Sequence, residues 1–188
     1  MTINSQPKEK SFLALWFVSK FTVKIVSILY NLIKGGIHMN KDEFTYCFNK
    51  LREQHEQIKA ASNSTLFLLE SYAENQFQQQ QFTELTKRLQ LLSRLTFMHF
   101  QTEEEMLIPI LKQMYSKNED ISFFLQEQHS ALYEKYNELI RVVASDPQVP
   151  FNEIDPDVSS LIHLHLEHIF VEEQGLFPLI QKYLNSNN

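Results

Sequence analysis

Residues 99–109 read HFQTEEEMLIP and residues 168–178 read HIFVEEQGLFP. Both follow one pattern: His, an apolar residue, two spacers, Glu-Glu, two spacers, Leu, an apolar residue and Pro. His99 and Glu103 are four residues apart, as are His168 and Glu172, so on a helix each imidazole and carboxylate reach one point of its surface. A second repeat accompanies the first: REQH ends at His55 and QEQH ends at His129. Together these positions supply four imidazoles and two carboxylates, the proportions of a dinuclear metal site. Imidazole with carboxylate and no thiolate suits iron, zinc or manganese. In the simplest arrangement each metal takes two histidines and the two carboxylates bridge, leaving room for a small ligand.

Such residues need long, rigid elements to bring them together. The chain of 188 residues has only three glycines and six prolines against fifteen phenylalanines, a composition that favours helices. Four helical runs are readable, over about 41–72, 82–115, 121–144 and 157–184. In the first, Phe44, Phe48, Leu51, His55 and Ile58 share a stripe; in the second, Leu85, Leu89, Leu92, Thr96, His99 and Glu103 do so. The third carries Leu125, His129, Leu132 and Tyr136, and the fourth Leu161, His165, His168, Glu172 and Leu176. A Gln-rich stretch at 75–81 separates the first two, and the proline-bearing SDPQVPFNEIDP separates the last two. Pro109 should kink the second run or mark its last turns. The expectation is an all-α, antiparallel up-down four-helix bundle built from two similar helix pairs, every stripe facing one interior.

Taken singly, each histidine is more often a hydrogen-bonded core or surface residue than a ligand, and Glu103-Glu104-Glu105 could be a solvated face. The joint pattern argues otherwise. Buried carboxylates and imidazoles are costly without partners, and every inward stripe carries at least one. His165, one turn before His168, is expected to hydrogen-bond to a ligand or to ligate itself. Its counterpart in the other pair is Thr96. Glu104 and Glu173 are expected to be solvated or helix-pairing residues unless a local rotation recruits one.

Ahead of the bundle, residues 1–38 hold five lysines against Glu9, a charge of +4 that leaves −10 for residues 39–188. So acidic a body is a poor nucleic-acid binder. Residues 12–34 are apolar but interrupted by Lys20 and Lys24, which with Ser27, Asn31 and Lys34 form one basic stripe on an amphipathic helix. That pattern fits peripheral contact with an anionic membrane face, and equally a helix packed on the body. The reading divides the chain into an extension, 1–38, and a bundle, 39–188. The lone Cys47 excludes an internal disulfide and fits a cytoplasmic, reducing home, where it would be a buried small apolar residue.

On His55, His99-x3-Glu103, His129 and His168-x3-Glu172, in that order and with the EExxLxP tails, the chain resembles the hemerythrin-like, or HHE cation-binding, family of di-iron four-helix bundles over about residues 42–183. The resemblance implies two iron ions with an oxide or hydroxide bridge, His55, His99, His129 and His168 as terminal ligands, and Glu103 and Glu172 as bridges. Oxygen-carrying hemerythrins have a further His one turn after the third-helix His, where this chain has Tyr133, and end on H-x4-D, where it has His168-x3-Glu172. One iron therefore lacks a nitrogen ligand unless His165 or Tyr133 substitutes. The set is more similar to that of the repair-of-iron-centres proteins, without their Cys-containing domain.

The function expected on this resemblance is binding of iron and of a diatomic ligand, oxygen or nitric oxide, in sensing, storage or stress defence. Two alternatives stand beside it. One is a di-iron enzyme that reduces peroxide or nitric oxide or repairs iron-sulfur centres; the other is a metal-free helical interaction module.

Overall fold

A computed structural model of the chain describes residues 41–72, 79–109, 120–145 and 151–186. All of them are helical, and no strand occurs among the described residues. The basic, apolar stretch at 12–34 lies outside them.

Helix α1 is Lys41–Tyr72, with Asp42 and Glu43 in its first turn, where carboxylates complement the helix dipole. Its buried positions Phe44, Phe48, Leu51, His55, Ile58, Ser62, Thr65 and Leu69 recur every three or four residues, a single stripe along the whole helix. Helix α2, Gln79–Thr102, buries Phe82, Leu85, Leu89, Leu92, Thr96 and His99 at the same spacing. Thr65, Thr96 and Thr102 each donate their hydroxyl to the carbonyl one turn back, at 2.8, 2.8 and 2.9 Å, so a polar side chain sits on a buried stripe with its donor satisfied. Helix α3 is Asp120–Ser145 and helix α4 is Phe151–Val171.

Helix α4 corrects the sequence reading. The stretch expected to be loop as far as Pro156 is helical from Phe151, and Pro156 lies inside the helix. The ring is held at a helix-compatible φ, and the carbonyl it leaves without an N–H partner lies in the first turn. Ile154, Val158, Leu161 and Ile162, all at most 4% exposed, form an apolar stripe whose burial outweighs that one lost bond.

Two compact units divide the chain: one is Met39–Leu166, and the described residues of the other are 167–186. Within the first, one core joins all four helices. Leu69 of α1, Phe82, Leu85, Leu89 and Leu92 of α2, Leu132, Tyr136 and Val143 of α3, and Ile154, Val158, Leu161 and Ile162 of α4 pack together. The pairings run antiparallel. Gln54 reaches Thr102 at one end of α1 and α2 while Leu69 and Phe82 share the core at the other, and along α2 and α3 Phe97 meets Tyr133 while Phe100 meets His129. This is the all-α four-helix bundle expected from the stripes.

In the second unit a π-helical turn, Glu172–Leu176, leads into helix α5, Phe177–Ser186. Cys47 is fully buried, and desolvation pushes its thiol up to about 11, so it stays protonated at neutral pH. No helix among the described residues is long and apolar enough to cross a membrane.

Candidate metal centre

Both copies of the duplicated motif end in the same irregularity. Helix α2 gives way at Glu103–Leu107 to a π-helical turn, and α4 gives way to the turn at Glu172–Leu176. Each turn starts on the motif glutamate. The N–H of Ile108 donates to the carbonyl of Glu103, and that of Phe177 to the carbonyl of Glu172, five residues back in each case. A turn widened by one residue brings the fourth and fifth positions onto one face. Accordingly Glu103, Leu107 and Ile108 are all buried, as are Glu172, Leu176 and Phe177.

The motif prolines follow from the same geometry. Pro109 and Pro178 sit two residues beyond the last residue of each turn, where an α-helix would drive the ring into the carbonyl four residues back. A widened turn relieves that clash, and α5 continues past Pro178. Single π turns inside α-helices recur at functional sites.

The side chains held there are inaccessible to water. His55, His99, Glu103, His165 and Glu172 are 0% exposed, His129 3% and His168 8%. Glu103 Oε2 is 3.0 Å from His129 Nε2 and 3.6 Å from His99 Nε2, the first within hydrogen-bonding range and the second beyond it. The His55 ring stands edge-on to that of His99, centroids 4.8 Å apart at 70°. On the other motif His168 Nε2 is 3.4 Å from Glu172 Oε1. His99 with Glu103 in the first unit, and His168 with Glu172 in the second, are buried residues of the types that hold a metal ion.

Two fully buried carboxylates would each cost several kcal/mol if left charged without a cation or an equivalent set of partners, whereas nitrogen and oxygen donors converging on one point are what a borderline divalent cation takes.

A family profile described as the Hemerythrin HHE cation binding domain matches residues 48–180. The chain belongs to the hemerythrin HHE cation-binding family. No curated protein and no solved structure matches it. The HHE match encloses both π turns and all of His55, His99, Glu103, His129, His168 and Glu172, and the buried His and Glu residues among them could hold a metal ion.

The remaining sequence candidates fall in different places. Tyr133 is 37% exposed and packs its ring on exposed Phe97, 5.7 Å away. His163 is exposed, with Nδ1 2.7 Å from the carbonyl oxygen of Ser159. His165 turns Nδ1 toward the Tyr136 hydroxyl at 3.0 Å and Thr96 Oγ1 at 3.3 Å.

Two contacts lie beyond what helical spacing suggests. Glu104 has an Oε1 3.0 Å from His129 Nδ1 although its own side chain is 39% exposed. A proton on Nδ1 donated to this carboxylate leaves the Nε2 lone pair on the Glu103 side, the usual way an outer carboxylate orients a metal-binding imidazole. Gln54 Nε2 donates to Thr102 Oγ1 at 3.0 Å and to the Met98 carbonyl at 3.2 Å, tying α1 to α2 one residue before Glu103. The repeated Glu-Glu was the available signal for the first contact; nothing in the sequence marked the second.

Proposed function

We propose that this chain is a hemerythrin-like non-haem di-iron protein that binds oxygen or nitric oxide, in sensing, storage or stress defence. The observation that carries the reading is the burial of two carboxylates with imidazoles converging on them inside an apolar bundle. His55, His99, His129 and His168 would be terminal ligands, and Glu103 and Glu172 bridges. Iron is preferred to zinc or manganese because the donor set is wholly imidazole and carboxylate in a family of di-iron bundles. Bound there, iron would supply coordination of a diatomic ligand and one-electron chemistry.

The protein's own contribution is to hold the donors and keep water out. Glu104 fixes the His129 tautomer, Gln54 and Thr102 fix the approach of α1 to the first π turn, and Phe100 lies flat on His129 with centroids 3.9 Å apart. An apolar surround of this kind limits solvent access to the centre.

The test is metal content. Protein purified under iron-replete conditions should hold iron in a ratio near two per chain, and His99→Ala and Glu172→Ala should each lower the iron content and the melting temperature together, since a cation bound only to the folded state stabilises it. Unchanged iron in both variants would overturn the assignment. Residues 12–34 would separately bring the bundle to an anionic membrane face; deleting residues 1–38 should then release the protein from vesicles containing anionic lipid, and unchanged partition would retire that contact.

A further inference from the structure

The two helix pairs differ most where neither supplies a ligand. Seven residues after His55 in α1 stands Ser62, and seven after His129 in α3 stands Tyr136. Three residues before His99 stands Thr96, and three before His168 stands His165. One pair thus presents a small hydroxyl couple and the other a phenol with an imidazole. All four residues are 0% exposed.

The phenol and the imidazole are joined. Tyr136 OH is 3.0 Å from His165 Nδ1, and the rings meet edge-on with centroids 5.8 Å apart at 73°. Burial raises the phenol well above its usual range, so Tyr136 is protonated at neutral pH. Its O–H can therefore donate to the unprotonated Nδ1. Thr96 completes the arrangement. Its hydroxyl proton goes to the Leu92 carbonyl at 2.8 Å, so the oxygen that faces Nδ1 at 3.3 Å is an acceptor, placed to take an N–H once the imidazole has gained a proton.

A continuous series of rings leads from this pair to the cluster. Phe100 lies 6.0 Å from His165 and stacks on His129 at 3.9 Å and 7°, and His129 Nε2 is 3.0 Å from Glu103 Oε2.

We propose that Tyr136, with His165 as its proton acceptor, is a one-electron donor to the metal centre in the reduction of hydrogen peroxide. The proposal rests on the di-iron reading of the cluster. Peroxide taken to two waters needs two electrons and two protons. A half-oxidised centre has one readily removable electron, and Tyr136 supplies the other. The Tyr136 O–H bond breaks, its proton forms a bond to His165 Nδ1, and its electron passes along the ring series to the centre. A neutral phenoxyl radical remains, hydrogen-bonded to an imidazolium, and solvent supplies the protons of the two waters.

The experiment uses the full chain loaded with ferrous iron, brought to the half-oxidised level with a one-electron oxidant, mixed with hydrogen peroxide, frozen, and examined by electron paramagnetic resonance, with iron counted on the same sample. A tyrosyl radical is expected in the wild type and in Tyr133→Phe, with a splitting that narrows on ring-deuterated tyrosine, and is expected to be lost in Tyr136→Phe at unchanged iron content. His165→Gln, which keeps the phenol and removes the base, should slow radical formation about 100-fold, the lower range of what a positioned base contributes. Absence of a radical in iron-loaded wild type, or its survival in Tyr136→Phe, would overturn the proposal while leaving the iron site standing. A wild type that takes up no iron would instead defeat the di-iron reading, and this proposal with it.

Discussion

The α1–α2 pair and the α3–α4 pair present the same ligand types at the same spacing and differ around them. His55 matches His129, His99 matches His168, and Glu103 matches Glu172. Around these, Gln54 finds the Thr102 hydroxyl, whereas the residue that matches Thr102 in the other motif is Val171, and Oε1 of Gln128, the counterpart of Gln54, is without a hydrogen-bond partner. Deeper in the bundle Ser62 and Thr96 face the roles that Tyr136 and His165 take in the other pair. The lesson is that the duplicated residues are those a symmetric cation pair needs. The residues free to diverge set the packing and the proton inventory, and there the two halves have separated into a small-residue side and a phenol-imidazole side.

The largest effect should come from breaking what the halves share. Glu103→Ala and Glu172→Ala are expected to abolish iron binding alike and to remove the stabilisation that comes with it, about 3 kcal/mol when free iron is near a hundred times its dissociation constant, read as a drop in melting temperature between loaded and unloaded protein. Loss in one variant alone would show that the cluster is not shared equally.

Next comes the tautomer lock on one side. Glu104→Gln should weaken iron binding roughly 10-fold through a mis-set His129, measured by competition with a chelator, with little change in the melting temperature of the iron-free protein. A smaller effect than that on affinity would reduce the Glu104 contact to a surface pairing.

The deeper divergence predicts opposite outcomes for two hydroxyl deletions. Tyr136→Phe leaves His165 and Thr96 without their phenol and should cost about 1–2 kcal/mol by denaturant unfolding. Ser62→Ala removes an oxygen that has no hydrogen-bond partner, and should be neutral or slightly stabilising. Equal costs would erase the proposed asymmetry. The smallest expected change is Thr102→Val, which makes that position resemble its counterpart and leaves Gln54 short of an acceptor, at about 1 kcal/mol.

Much of this centre could be read from the chain because helical periodicity fixes which residues face inward, and His55, His99, Glu103, His129, His165, His168 and Glu172 all fell on apolar stripes and are buried. The start of α4 was misread because proline clusters usually mark loops, while here Pro156 tolerates the first turns and Ile154 and Val158 anchor them. The π turns were not readable from periodicity, since one inserted residue shifts the pattern by less than the width of an apolar stripe. In retrospect the motif proline is the trace they leave. Glu104 is expected to be solvated or helix-pairing, and it is half-exposed; only the fold shows that its partner is His129 of another helix.

The central claim is that the buried His/Glu cluster holds a pair of iron ions. It is tested most directly by an optical spectrum of the full chain loaded with ferrous iron without oxygen, recorded before and after admission of air, with iron counted on the same sample. An iron-to-chain ratio near two, and charge-transfer bands of a bridged ferric pair that appear in air, are the predicted result. A colourless protein that retains no iron would contradict it.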